Sequence, residues 1–286
     1  MPTASTPQGA IEALPATHLG WPTRIGSDNI PFRTHVDVWT VSGWCDARLG
    51  VDPRYGLCTL DWLALPQQLL LETTAGRIFH DGLDELEPIR ASLAWYPHGI
   101  WRWLVAAQWT RVAQEEAFVG RAAEAGDELG SRVVAARVVR DLMRLCFLLE
   151  RTYAPYSKWL GTGFARLDAA ATVGSFLATV VAADTYRRRE DALVLAYEEV
   201  ARRHNAAQIS SLQEPTAHLF HGRPFRVIDA GRFAQACAEA IEDPALRALH
   251  ACGSDRPMGG LDRCAEPRRS GPTAHRLVRH SRLSCH

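Results

Sequence analysis

The chain's 286 residues are 47% apolar and 22% charged, enough to bury a core and incompatible with global disorder. Its 32 basic and 32 acidic residues cancel, so no net field draws it to nucleic acid or to anionic lipid. The seven cysteines are scattered without zinc-knuckle or redox-pair spacing, residues 1–10 have no secretory signal, and no stretch is apolar for long enough to span a bilayer. The expectation is a soluble cytoplasmic protein with reduced thiols, no bound metal, and neither nucleic acid nor membrane as partner.

In chain order, residues 1–13 read as a flexible N-terminus rich in Pro, Ser and Thr. Residues 14–60 are short segments separated by Gly, Pro, Ser and Asn, and the alternation at 35–41 predicts a half-buried strand. Helical signals take over near residue 60. A helix starts around Asp61 with Pro66 near its first turn, runs through 69–79 and stops at His80-Asp81-Gly82. Pro97 opens a long second helix through Ile100, Leu104, Ala107 and Val112. Residues 127–131 supply caps for a third, whose apolar side uses Val134, Val138, Leu142, Leu145 and Leu149. Further helices are predicted at 159–167, 170–186, 190–205 and 230–241, with an extended piece at 222–228. Residues 61–251 thus read as one helical domain. Residues 252–286 are rich in arginine, poor in large apolar residues and without a period, so a disordered tail is expected there.

Several motifs sit in a particular order: Gln114-Glu115-Glu116, Gly126-Asp127-Glu128-Leu129-Gly130-Ser131, Arg140-Asp141 and Tyr153-Ala154-Pro155-Tyr156-Ser157-Lys158-Trp159. With Asp61-Trp62-Leu63, Phe79-His80-Asp81-Gly82 and Gly222-Arg223-Pro224-Phe225 beside them, residues 14–253 resemble the bacterial family designated domain of unknown function 4037 (DUF4037). The resemblance implies a nucleotidyltransferase-like protein, in which an α/β domain with paired carboxylates holds magnesium against nucleotide phosphates ahead of the helical region. That pair is missing here. Gly26-Ser27 followed by Asp37-Val38-Trp39 imitates the motif with Trp39 in place of the second acid, leaving Asp37 as a single candidate carboxylate. Residues 14–60 then correspond to a partial α/β remnant in a truncated protein, transfer activity is expected to be lost, and magnesium with nucleotide would bind only at an intact site. The end departs from the family too. Codons that fit residues 256–266, read one base later, spell the family's ending, so the tail is expected to come from a frameshift near Ser254.

Glu115 and Glu116 are read either as a helical-domain general base, as the resemblance suggests, or as a solvated helix face. Arg137, Arg140, Arg144 and Arg151 recur at helical steps, and two readings stand: a strip that grips phosphate, or pairing with Asp141 and Glu150. Tyr153, Tyr156, Trp159 and Lys158, the only lysine in the chain, surround a proline turn. They could stack a base and contact phosphate, or pack the turn while Lys158 reaches into water. Residues 126–131 lack the Gly-Lys-Ser/Thr ending of a phosphate loop and read as a loop with a helix cap. His204, His218 and His221 lack acid-histidine metal spacing.

The predicted fold is α+β and predominantly α-helical, a helical bundle with a small N-terminal remnant of a nucleotidyltransferase-like domain. The leading function is a catalytically inactive nucleotidyltransferase-like protein that keeps a site for a nucleotide or another phosphorylated small molecule. The alternative is a helical module that meets a protein partner and has no chemistry of its own.

Overall fold

A computed structural model describes residues 6–253; the arginine-rich tail and its expected frameshift, from Ser254 onward, lie outside the described residues. The chain divides between Asp52 and Pro53 into two compact units. The first holds α1 (Pro7–Glu12), strands β1 (Thr17–His18), β2 (Trp21–Pro22), β3 (Ile25–Ser27) and β4 (Ile30–Arg33), and α2 (Val41–Arg48). β1 pairs with β2 and β3 with β4, both antiparallel. The strand predicted at 35–41 does not form, and residues 34–40 have no ladder partner. Thr40 instead accepts a hydrogen bond from the Gly43 N–H (3.1 Å) and starts α2. A local cap satisfies backbone donors at once, whereas an alternating pattern becomes a strand only where a neighbour is on offer.

The second unit opens with α3 (Thr59–Ala64), α4 (Gln67–Thr74) and α5 (Leu86–Ser92). The long helices α6 (His98–Glu124) and α7 (Glu128–Leu149) follow, then α8 (Leu160–Phe164), α9 (Ala170–Ala182) and α10 (Tyr186–Ala206). An antiparallel pair, β5 (His218–Leu219) with β6 (Arg226–Val227), leads into α11 (Ala230–Glu239) and α12 (Pro244–Gly253). The fold is mostly helical with small antiparallel sheets.

The α6–α7 pair is the spine of this unit. The Trp101 indole donates to the Leu148 carbonyl (2.8 Å), and Gln108 donates to the Asp141 carbonyl (3.0 Å) one step along, which fixes an antiparallel register. α11 and α12 pack on α6, while α10 packs on α7 and α9. Val105, Trp109, Val112, Leu142, Leu145 and Tyr197 are sealed in the resulting core. Gly120 lets the buried Phe225 lie directly on α6, where a Cβ would overlap its ring.

Residues 126–131 are the loop and cap that the sequence suggested. Gly126 takes φ +78°, and Asp127 accepts from the Gly130 N–H (2.7 Å). Glu128 pairs with Arg132 (3.0 Å) and with the fully buried Arg189, which also donates to Ser131 Oγ (2.8 Å). Helix boundaries differ from prediction in two places. α4 stops at Thr74 rather than near residue 79, because Arg90 donates to the carbonyls of Thr74, Ala75 and Gly76 and Gly76 turns at φ +75°. The helix predicted over 170–186 ends at Ala182, where Ala183 is extended, and the one predicted from 190 starts earlier, at Tyr186 after the Thr185 cap.

Candidate functional site

Pro66 separates α3 from α4 and places Gln67 and Gln68 in the first turn of α4. Their side-chain oxygens accept the backbone N–H groups of Ala154 and Tyr156, each at 2.9 Å. The segment after α7 is irregular and Pro155 has no donor of its own, so these two bonds satisfy its remaining N–H groups and fasten it beside α4. Between this segment, α3–α4 and one face of the α6–α7 pair lies a cleft of about 150 Å³.

Trp62 and Pro66 form one wall of the cleft, and Tyr96 another. α6 contributes Leu104, Gln108 and Arg111, which share a face because they are spaced four and three residues apart. α7 contributes Arg144 and Leu148, and the fastened segment adds Pro155 and Tyr156. Behind the wall, Trp62, Trp95, Tyr96 and Tyr153 form a chain of ring contacts with centroids 4.9–5.6 Å apart, mostly edge to face. The Tyr153 hydroxyl donates to the Leu93 carbonyl (2.8 Å). Tyr96 lines the cleft at 6% exposure, and its hydroxyl has no hydrogen-bond partner among the described residues. Burial pushes that hydroxyl well above the usual tyrosine range, so it stays protonated and able to donate.

Charge enters from the helices. Asp141 is 2% exposed, and its carboxylate accepts from Arg111 Nε (3.2 Å) and Gln108 Nε2 (3.2 Å). The buried acid holds Arg111 in place and offsets its charge, and Arg144 brings a second guanidinium to the same cleft. Two guanidinium groups, one protonated phenol and a mainly apolar wall suit a small anion with an apolar body, because guanidinium forks match carboxylate and phosphate oxygens.

Of the residues singled out in the sequence, Arg144 and Tyr156 line the cleft together. Tyr153 is buried behind it. Lys158 and Trp159 are exposed outside it, with the ammonium 5.1 Å from the indole centroid. Arg137 pairs with Glu115 (2.5 Å) on the surface, and Arg140 does not line the cleft. Arg151 takes φ +50° beyond α7 and lies over Trp101 (4.3 Å). Asp141 accepts from Arg111 of α6, and Glu150 accepts from the N–H groups of Asp168 and Ala169 and lies 3.5 Å from Arg203.

Glu116 is buried, and its two carboxylate oxygens accept the N–H groups of Ile228 and Ala230 (both 2.9 Å). It thereby holds the start of α11, where Asp229 takes φ +57°. Burial raises its carboxyl to about 7, against the lowering effect of those hydrogen bonds. Asp37 belongs to the first unit, is largely exposed and lies 3.6 Å from Arg33. Among the described residues, no group of three or more His, Cys, Asp or Glu side chains is placed to hold a metal ion, and no helix is long and apolar enough to cross a membrane. Sequence reasoning missed Trp62, Tyr96, Gln108 and Arg111; the three- and four-residue steps from Leu104 to Arg111 were the one signal that could have joined two of them.

No curated protein and no solved structure matches the chain. A family model described as domain of unknown function (DUF4037) matches residues 62–160. Every residue that lines the cleft, from Trp62 to Ser157, falls inside that match, so the segment similar to DUF4037 is the segment that builds the cleft.

Proposed function

We propose that this protein binds a small anionic ligand, of the phosphorylated class that includes nucleotides, in the cleft between α4, the α6–α7 pair and the segment at 154–157. The observation that carries the proposal is the convergence of Arg111 and Arg144 on one mainly apolar cleft, with Asp141 fixing the first of them. A nucleotidyltransferase-like ancestry accounts for such a site in a protein that has lost the transfer reaction. The residues present do not fit a magnesium–nucleotide centre, which needs two or three carboxylates around the ion: Asp37 faces Arg33, Glu115 faces Arg137, and both oxygens of Glu116 are committed to backbone. No transfer step is part of the reading.

Thermal unfolding of the full chain with inorganic phosphate, AMP or ATP tests it. A ligand at about a hundred times its dissociation constant stabilises by roughly 2.7 kcal/mol, and Arg144→Ala should remove the shift. Absence of any shift across a broad panel of anions, from a folded protein, would contradict the reading. One feature favours the alternative of a protein-binding module: Leu129 and Val133 are 74% and 53% exposed, with exposed Arg137 at the next four-residue step of α7. That surface is tested by whether Val133→Asp abolishes a partner interaction while anion binding persists.

A further inference from the structure

The cleft's size and wall chemistry narrow the ligand further. Resting on the reading that this cleft holds an anion, we infer that its occupant is a single aromatic ring bearing one anionic head, a carboxylate or a phosphate, and not a complete nucleotide. A volume of about 150 Å³ is the size that holds one benzene-sized ring in an apolar cavity, and lies well below the roughly 300–1,000 Å³ of pockets that enclose larger ligands. A nucleoside monophosphate has a fused or substituted base, a ribose and a phosphate, so at most one of these parts enters.

The walls point the same way. Trp62, Tyr96 and Tyr156 offer ring faces and edges, and Leu104, Leu148 and Pro155 close the apolar remainder. Ring-on-ring packing of this kind favours a flat apolar body over a sugar. Gln67, Gln68 and Gln108 also line the cleft but are engaged with protein partners, and the charged groups suit an anion. Arg111 and Arg144 are cationic, and Tyr96, a residue 6% exposed, has a protonated hydroxyl without a protein partner among the described residues. That hydroxyl is not sealed from water, and it can donate to an acceptor that enters the cleft. A carboxylate or phosphate oxygen is such an acceptor, and the two guanidinium groups bring it into the same cleft.

The test is calorimetric titration of the full chain with phenyl phosphate, benzoate, inorganic phosphate and AMP. One or both one-ring compounds should bind at least tenfold more tightly than inorganic phosphate and than AMP; the ratio between them tells which head group the arginines prefer. Arg144→Gln should weaken the better one by tenfold or more, and Tyr96→Phe by a few-fold. Leu104→Trp, which fills the cleft without touching its charges, should abolish binding even if Arg144→Gln proves hard to fold. Binding of inorganic phosphate or AMP as tightly as the one-ring compounds would overturn this inference and leave the anion site standing. If none of the four binds, both readings fall.

Discussion

On the side of α6 that packs against α10 and α11, a network of core polar groups closes on protein partners, although the buried Tyr197 hydroxyl has none among the described residues. The Trp109 indole donates to His204 Nδ1 (3.1 Å), which leaves the proton on Nε2 to reach Ser210 Oγ (2.9 Å), and Ser210 passes its own to the Ser211 carbonyl (3.1 Å). Phe233 stacks on Trp109 at 4.5 Å, and Glu116 closes the start of α11 a few turns away. On the side that faces the cleft, the polar groups are of other kinds. Arg111 and Arg144 are half-buried, and Tyr96 keeps a hydroxyl without a partner among the described residues. One helix thus serves two purposes. Polar groups that close on each other specify the fold, and polar groups that line a small cleft can also meet a ligand.

The largest effect that sharpens this contrast comes from the closed side. Trp109→Ala removes a fully buried ring, its stacking partner and a hydrogen bond, and should cost about 3–5 kcal/mol in urea unfolding. A cost near zero would mean that the core is not organised around Trp109.

The closed side also carries two titratable groups shifted in opposite directions. Burial lowers His204 to about 4 and raises Glu116 to about 7. Neutral His204 contributes stability that is present above its unfolded value near 6.5 and lost as the pH falls to about 4. Protonated Glu116 contributes stability that is present below 4.5 and lost as the pH rises through about 7. Each is worth about 3 kcal/mol across its window. Relative to wild type, His204→Gln should gain stability on acidification from pH 7 to 4.5, and Glu116→Gln should lose it. Differences between variants cancel the background from Asp81 and Glu128, whose carboxyls hydrogen bonds hold below their usual range. Two parallel profiles would contradict the assignment.

Gly120→Ala drives a methyl group into Phe225 and should cost about 1–3 kcal/mol. The smallest stability effect belongs to the open side. Tyr156→Ala in the half-exposed wall of the cleft should change stability by less than about 1 kcal/mol while weakening ligand binding.

Much of this architecture was legible in the sequence. Pro97, the Asp127 cap and the apolar positions of α7 announce the two long helices, because capping and periodicity are local signals. Two residues of the cleft stood out for the same reason, Arg144 by its charge and Tyr156 by an aromatic turn. The rest depends on pairings across the chain. Gln67 and Gln68 bind backbone more than eighty residues away, and Arg111 meets Asp141 only because α6 and α7 run antiparallel in one register. Glu116 looked like a candidate base and is committed to the start of α11, a role set by residues 228–230 and invisible from its neighbours in sequence. The first unit was read least well, since its segments are short and the cap at Thr40 overrode the alternating pattern before it.

The most direct test of the division between closed and open sides is a nitrogen–proton correlation spectrum of the full chain, titrated with phenyl phosphate. The Trp62 indole and Arg144 Nε signals, assigned with Trp62→Phe and Arg144→Gln, should move together and saturably, while the Trp109 indole signal stays fixed. Movement at Trp109 with none at Trp62 and Arg144 would place the ligand elsewhere and contradict the cleft as the binding site.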